Sequence, residues 1–162
     1  LAVEAIMRQL AERLNESAEI WGLVGLLHDL DYEETTNNFS QHGIRTAEML
    51  KGLLPDEALE AIRGHNDEFT GYTCNSRLDL ALKAADQVSG LIMATARVMP
   101  RKKLSEVKVS SLKKKLKEKD FARNVDRARI SLHRELGLTL DEILELSLQA
   151  LQAIADELGL QP

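Results

Sequence analysis

The sequence predicts an all-α fold, and three observations carry that expectation. Apolar residues recur at intervals of three and four along most of the 162 residues. Aromatic residues make up only 4% of the chain, and no alternating β-branched run signals a strand. Gly totals 9 and Pro 3, too few punctuators for the tight turns of an all-β domain. At 44% hydrophobic residues the chain buries a core without covalent staples. A single cysteine, Cys74, excludes an internal disulfide and a multi-Cys zinc knuckle, so any metal must be held by His and carboxylate. The lone thiol suits a reducing compartment. No apolar run approaches the roughly 18 residues of a membrane span and no signal peptide is visible, so a cytoplasmic location is expected.

The elements follow in order. Val3, Ile6, Met7, Leu10 and Leu14 share one face of a first helix, already under way at Ala2. The chain is therefore expected to start inside a helix, with native residues upstream. Ser17 is a plausible N-cap for a second helix through Ile20, Leu23, Val24 and Leu27, ending near His28-Asp29. Ser40 is expected to cap a third, through Ile44, Ala47 and Leu50, stopped before Pro55. Pro55-Asp56 opens a fourth from Ala58 to about Gly64. A long helix from Arg77 to Met99 turns Leu78, Ala81, Leu82, Ala85, Val88, Leu91 and Ile92 inward and ends at Pro100. Short basic pieces follow, then a helix from Val125 to Leu136 closed by Gly137. A last helix, Leu140 to Leu158, is closed by Gly159, with Thr139 and Glu142 in capping-box spacing. Residues 1–99 read as the core, and residues 100–162 as a basic segment and C-terminal helices packing on it within the same domain.

Net charge is −5, but it is unevenly spread. Arg101 to Lys119 carries nine basic residues against Glu106 and Glu118, a net +7 that leaves −12 for the remainder. A solvated face and a phosphate footprint both fit such a stripe. Long nucleic acid is disfavoured by so acidic a remainder, no membrane partner is expected, and a homo-oligomer is left open.

The chain has four histidines, so their placement matters. His133 lies in a predicted surface helix and reads as structural or solvent-exposed. His28-Asp29 emerges from the apolar run Leu23 to Leu27, and buried polar groups of this kind must be paired or ligating. Adjacent helical residues point about 100° apart, so the two converge on one ion only from a terminal position. Asp86 supplies a second carboxylate on the otherwise apolar long helix. Singly, each has a plainer reading, the doublet as a helix-end cap and Asp86 as the partner of a neighbouring cation.

Together, Leu26-Leu27-His28-Asp29-Leu30-Asp31, His42-Gly43, Ala61-Ile62-Arg63-Gly64-His65-Asn66 and Ala84-Ala85-Asp86 resemble, in order and spacing over residues 1–99, the HD superfamily of metal-dependent phosphohydrolases, in particular its small HDIG-type members. The resemblance implies an all-α HD-domain helical bundle, here with additional C-terminal helices. His28 and Asp29 match the doublet that names the family, and Asp86 its final metal-binding aspartate. His42 and His65 resemble the histidines with which some members hold a second metal. The family's first metal histidine has no counterpart before His28 and is expected just upstream of Leu1. Asp31 stands where the HDIG signature has glycine, followed by Tyr32. Gly71-Tyr72-Thr73 falls short of the Gly-Tyr-Pro of cyclic-di-GMP phosphodiesterases, and that activity is not implied.

The implied cofactor is one or two divalent ions, with Mn, Fe, Co, Ni, Zn or Mg all compatible with His and carboxylate ligands. The implied reaction is attack of metal-activated water on phosphorus. Asp29 can bridge two ions, while Asp31, Glu33, Asp67 and Glu68 are candidates for orienting water or protonating a leaving group. Lys83, one turn before Asp86, and Arg45, one turn after His42, are candidate phosphate ligands, with Lys113, Lys114 and Lys115 as a clamp over the mouth. The expected partner is a small phosphorylated molecule, a nucleotide. The competing functions are a catalytically silent metal- or nucleotide-binding regulatory module and a plain helical interaction protein.

Overall fold

The computed structural model describes residues 1–160; Gln161 and Pro162 lie outside the described residues. The fold is all-α, with no β-strand among the described residues. Helix α1 (Ala2–Arg13) packs antiparallel on α2 (Ala18–Leu27), whose N-terminus is capped by the Ser17 hydroxyl accepting from the Ile20 amide at 3.3 Å. Ile6, Met7, Leu10 and Ala11 of α1 are fully buried. The two backbones approach closely at Gly25, where a Cβ would lie 2.9 Å from both Glu4 Cα and Val3 O.

Beyond α2 the chain turns through the short α3 (Tyr32–Thr35) and a 3₁₀ turn, Phe39–Gln41, into α4 (Ile44–Met49). Ser40 lies in that turn and does not cap α4. The first amides of α4 are taken instead by the Asp31 carboxylate, which accepts from Gly43 N at 2.8 Å and Thr46 N at 2.9 Å. A buried charge at a helix N-terminus satisfies donors that have no intrahelical partner, and it outcompetes an exposed serine. Helix α5 (Asp56–Gly64) and the one-turn α6 (Asp67–Thr70) lead to α7 (Arg77–Val98), capped by Ser76.

The seven apolar residues expected to face inward on α7 are all buried, and α7 forms the axis on which α1, α2, α5 and the C-terminal elements pack. Helix α8 (Val109–Lys117) carries four of the nine basic residues, Lys113, Lys114, Lys115 and Lys117, with Leu112 fully buried beneath. The expected helix from Val125 to Leu136 is broken into α9 (Arg127–Ile130) and a 3₁₀ turn, Ser131–Arg134. The Ser131 hydroxyl donates to Arg127 O at 3.2 Å, and His133 Nδ1 lies 2.7 Å from Leu138 O. His133 thus ties the turn to the segment beyond Gly137, and the stretch closes on itself instead of running on as one helix. His133 is buried and closes this turn, rather than facing solvent. Helix α10 (Leu140–Ala153), with the Thr139/Glu142 capping box present, ends five residues earlier than expected and packs on α1, α7 and α8. Apolar residues of both halves share one buried cluster.

Candidate metal site

The site is built at helix ends. His28 follows the last residue of α2 and His65 the last residue of α5, and each ring turns back on its own helix. His28 Nδ1 lies 2.8 Å from Gly25 O, and His65 Nδ1 lies 2.6 Å from Ile62 O. Both carbonyls belong to a last helical turn, which has no amide to satisfy it. Because a carbonyl only accepts, Nδ1 carries the proton in each ring, and the neutral imidazole presents a bare Nε2. His42 reaches the same state by another route, its Nδ1 lying 2.7 Å from Asp31 Oδ1.

The three Nε2 atoms converge on one carboxylate. Asp29 Oδ1 is 3.2 Å from His42 Nε2 and 3.5 Å from His65 Nε2, while Asp29 Oδ2 is 3.3 Å from His28 Nε2. Asp86 Oδ1, from α7, stands 3.8 Å from His28 Nε2. The turn that begins at His28 is what lets two successive residues face the same point. His42 and His65 Nε2 are 3.2 Å apart, so two lone pairs face each other unless a cation or a proton lies between them. His28 Nε2 is buried with no hydrogen-bond partner.

Gly43 makes the close approach of the His42 and His65 segments possible. Its φ is +89°, and a Cβ there would lie 2.7 Å from Ile62 O and 2.9 Å from His65 Cε1. The Asn66 amide ties the same segments together, donating to Phe39 O at 2.8 Å and His42 O at 3.3 Å.

The electrostatics describe a site short of positive charge. Burial by itself would lower the His28 pKa, but the Asp29 and Asp86 carboxylates outweigh it and push the imidazole up to about 10. His42 is likewise raised against the effect of burial by Asp29 and Asp31. Burial would raise Asp29, but His28, His42 and His65 hold it well below the usual carboxylate range. Orphaned nitrogen and oxygen donors of intermediate hardness, with buried acceptors fixing the far side of each ring, fit a divalent transition-metal ion. Ligand atoms of His28, Asp29 and His65 lie within 4.8 Å of one another, and His42 and Asp86 border them.

The model of the HD domain family matches residues 1–91, more than half of the chain. The chain belongs to the HD superfamily. HD domains bind divalent metals and are in general metal-dependent hydrolases. Comparison with curated proteins and with solved structures finds no match. No helix among the described residues is long and apolar enough to cross a membrane.

Around the HD doublet opens a cavity of about 480 Å³. It is lined by Asp29, His42, His65 and Asp86, by Tyr32 and Phe69 at the rim, and by Asn124, Asp126 and Arg129 from beyond the HD match. Arg129 donates to His65 O at 2.5 Å and to Asp67 Oδ1 at 2.8 Å, joining the C-terminal part of the chain to the site. Sequence reasoning missed Arg129, since no motif surrounds it and its partners are more than sixty residues away.

Several expected residues lie elsewhere. Asp31 is fully buried behind His42, with its oxygens bonded to His42, Gly43 and Thr46, so it orients a ring rather than exchanging protons with a substrate. Asp67 is paired with Lys83 and Arg129; burial would raise its pKa, yet these cations hold it below the usual range, so it has no proton to give. Glu33 is exposed on α3 and does not line the cavity, whereas Glu68 does.

The expected phosphate ligands are also corrected. Lys83 is buried between Asp79 and Asp67, 2.9 Å from each, and borders a separate, smaller pocket with Leu80 and Leu132. Arg45 is exposed and paired with Glu34. Lys113 pairs with Asp141, Lys115 pairs with Glu118 and covers the Phe121 ring, and Lys114 faces solvent. None of these five cations lines the cavity: Lys83 and Arg45 are held by their own carboxylate partners, and α8, which carries the three lysines, packs on α7 and α10.

Proposed function

We propose that this chain is a divalent-metal-dependent phosphohydrolase acting on a small phosphorylated molecule, a nucleotide. The observation that carries the reading is the convergence of three Nε2 atoms on the two oxygens of Asp29, each ring with its Nδ1 proton already committed. His28, Asp29 and Asp86 form one donor set. His42 and His65 form a second with the other oxygen of Asp29, which supports two ions.

A bound divalent ion supplies Lewis acidity toward a phosphoryl oxygen and lowers the pKa of water. The chain's own residues then do the positioning. Gly25 O, Ile62 O and Asp31 keep the rings from rotating, so the donors stay aimed at one point without reorganising. Arg129 brings a guanidinium to the cavity wall, where its side chain, 18% exposed, retains a face for a phosphoryl oxygen. Tyr32 and Phe69 border the opening with apolar surface.

Metal content per chain, measured by mass spectrometry on untagged protein beside Asp29→Ala, tests the site. One or two ions per chain, lost in the variant, together with phosphate release from p-nitrophenyl phosphate or its bis-ester, is the expected result. No metal after incubation with Mn, Co or Fe overturns it. Metal bound without turnover of any ester leaves a regulatory binding module as the function.

A further inference from the structure

The cavity walls carry information about the ligand that the metal donors do not. Apart from Asp29 and Asp86, the charged side chains on the wall are Glu68, Asp126 and Arg129. Arg129 is the sole arginine or lysine there among the described residues, and its guanidinium is already shared with Asp67, Asp126 and His65 O. Glu68 is exposed and has no ion-pair partner among the described residues. Asp126 caps α9, accepting from the Ala128 amide at 2.8 Å, and its other oxygen lies 3.7 Å from Arg129 Nε, yet its side chain remains 46% exposed. Beyond the metal donors, then, the walls are net acidic.

The rim is aromatic out of proportion to the chain. The sequence has three Phe, two Tyr and one Trp, and half of these six rings gather here. Phe39 stands between Tyr32 and Phe69, with centroids 6.0 Å and 5.7 Å away. Tyr32 is 48% and Phe69 57% exposed, and both line the cavity, whereas Trp21 is buried in the core. Large rings left open to water beside a binding cavity offer stacking surface for a planar group.

Building on the proposed function, we infer that Glu68 and Asp126 restrict the site to ligands with a single phosphoryl group, and that Tyr32 and Phe69 select those whose remainder is a planar ring. One phosphoryl group would be neutralised by the divalent ion that the His and Asp donors would hold and by Arg129. A second phosphate would have to lie against Glu68 and Asp126, where each added negative charge is repelled in a partly desolvated cavity. The cavity, at about 480 Å³, is roomy enough for one nucleoside monophosphate.

The test is equilibrium binding to Mn²⁺-loaded protein of adenosine 5′-monophosphate, adenosine 3′,5′-bisphosphate and ribose 5-phosphate, read as Kd by calorimetry, or as KM for a compound that is turned over. The monophosphate is expected to bind about tenfold more tightly than either of the others. Phe69→Ala should remove the advantage over ribose 5-phosphate without changing the affinity for ribose 5-phosphate itself. The double variant Glu68→Gln/Asp126→Asn should remove the advantage over the bisphosphate, asparagine keeping the α9 cap. Equal or tighter binding of the bisphosphate or of ribose 5-phosphate by the unaltered protein overturns the inference. If the binding order holds but no ester is hydrolysed, the inference stands as ligand selection and the hydrolase reading alone fails.

Discussion

Replacing Asp31 with asparagine isolates the device that aims His42. The wild-type carboxylate accepts three hydrogen bonds, from His42 Nδ1 at 2.7 Å, Gly43 N at 2.8 Å and Thr46 N at 2.9 Å, and is wholly shielded from water. Asparagine has the same shape but only one accepting oxygen. With that oxygen on the amides, its NH2 group faces Nδ1, and His42 must give up the Nδ1 proton and carry it on Nε2 instead. The two amide bonds survive in neutral form, each weaker by about 1 kcal/mol, so the fold loses roughly 2 kcal/mol and remains intact. The effect on the site is larger, because a protonated Nε2 cannot donate to a metal, and losing an orienting partner typically costs about 10–100-fold in metal affinity. Urea unfolding at pH 7 reads the first quantity, and titration with Mn²⁺ or Co²⁺ the second. Nitrogen NMR of the imidazoles reports the tautomer directly. Unchanged metal affinity in Asp31→Asn, with Nε2 still unprotonated, would refute the reasoning.

Three further outcomes are expected. Gly43→Ala places a Cβ at φ +89° and 2.7 Å from a backbone carbonyl, so stability should fall by at least about 2 kcal/mol and the His42 and His65 rings should separate, both visible in thermal melts with and without metal. Asp79 is fully buried, and burial, only partly offset by Lys83, raises its pKa to about 6. A carboxyl whose folded pKa lies above the unfolded value destabilises the fold at high pH and ceases to do so as pH falls below the unfolded pKa. Asp79→Asn should therefore gain up to about 3 kcal/mol on the wild type between pH 4 and pH 7.5, and parallel urea midpoints for the two proteins across that range would contradict this. Arg129→Met removes charge-assisted bonds to His65 O and Asp67, and chemical denaturation should show a loss of about 2 kcal/mol together with greater amide exchange around His65.

The helices and the histidine cluster were largely legible because each is written in neighbouring residues. The apolar spacing of α1 and α7, the Ser17 and Thr139 caps and the His28-Asp29 doublet at the end of an apolar run all act over one or two turns. What escaped acts at longer range. The start of α4 is set by Asp31, twelve and fifteen residues from the amides it binds, so the nearer Ser40 looked like the better cap. Asp31 itself read as a catalytic candidate because its distance from solvent has no local signature. The lysine run stands out by charge density, yet the direction of α8 is decided by where Leu112 is buried. Arg129 is one arginine among several until the chain folds back and places it against His65.

The division of the cavity between two stretches of chain has a consequence for how its selectivity can change. Every histidine nitrogen and both carboxylates of the cluster come from residues 28–86, whereas Asn124 and Asp126 on the opposing wall come from beyond residue 91. Neither Asn124 nor Asp126 bonds to a residue of the cluster; Asp126 reaches it through Gln87, which accepts from the Asp126 amide, and through Arg129, which pairs with the Asp126 carboxylate and donates to His65 O. Substitutions at these two side chains can thus redraw the door while leaving the hearth untouched, and a new diet of ligands becomes accessible by single steps that never pass through a metal-free intermediate.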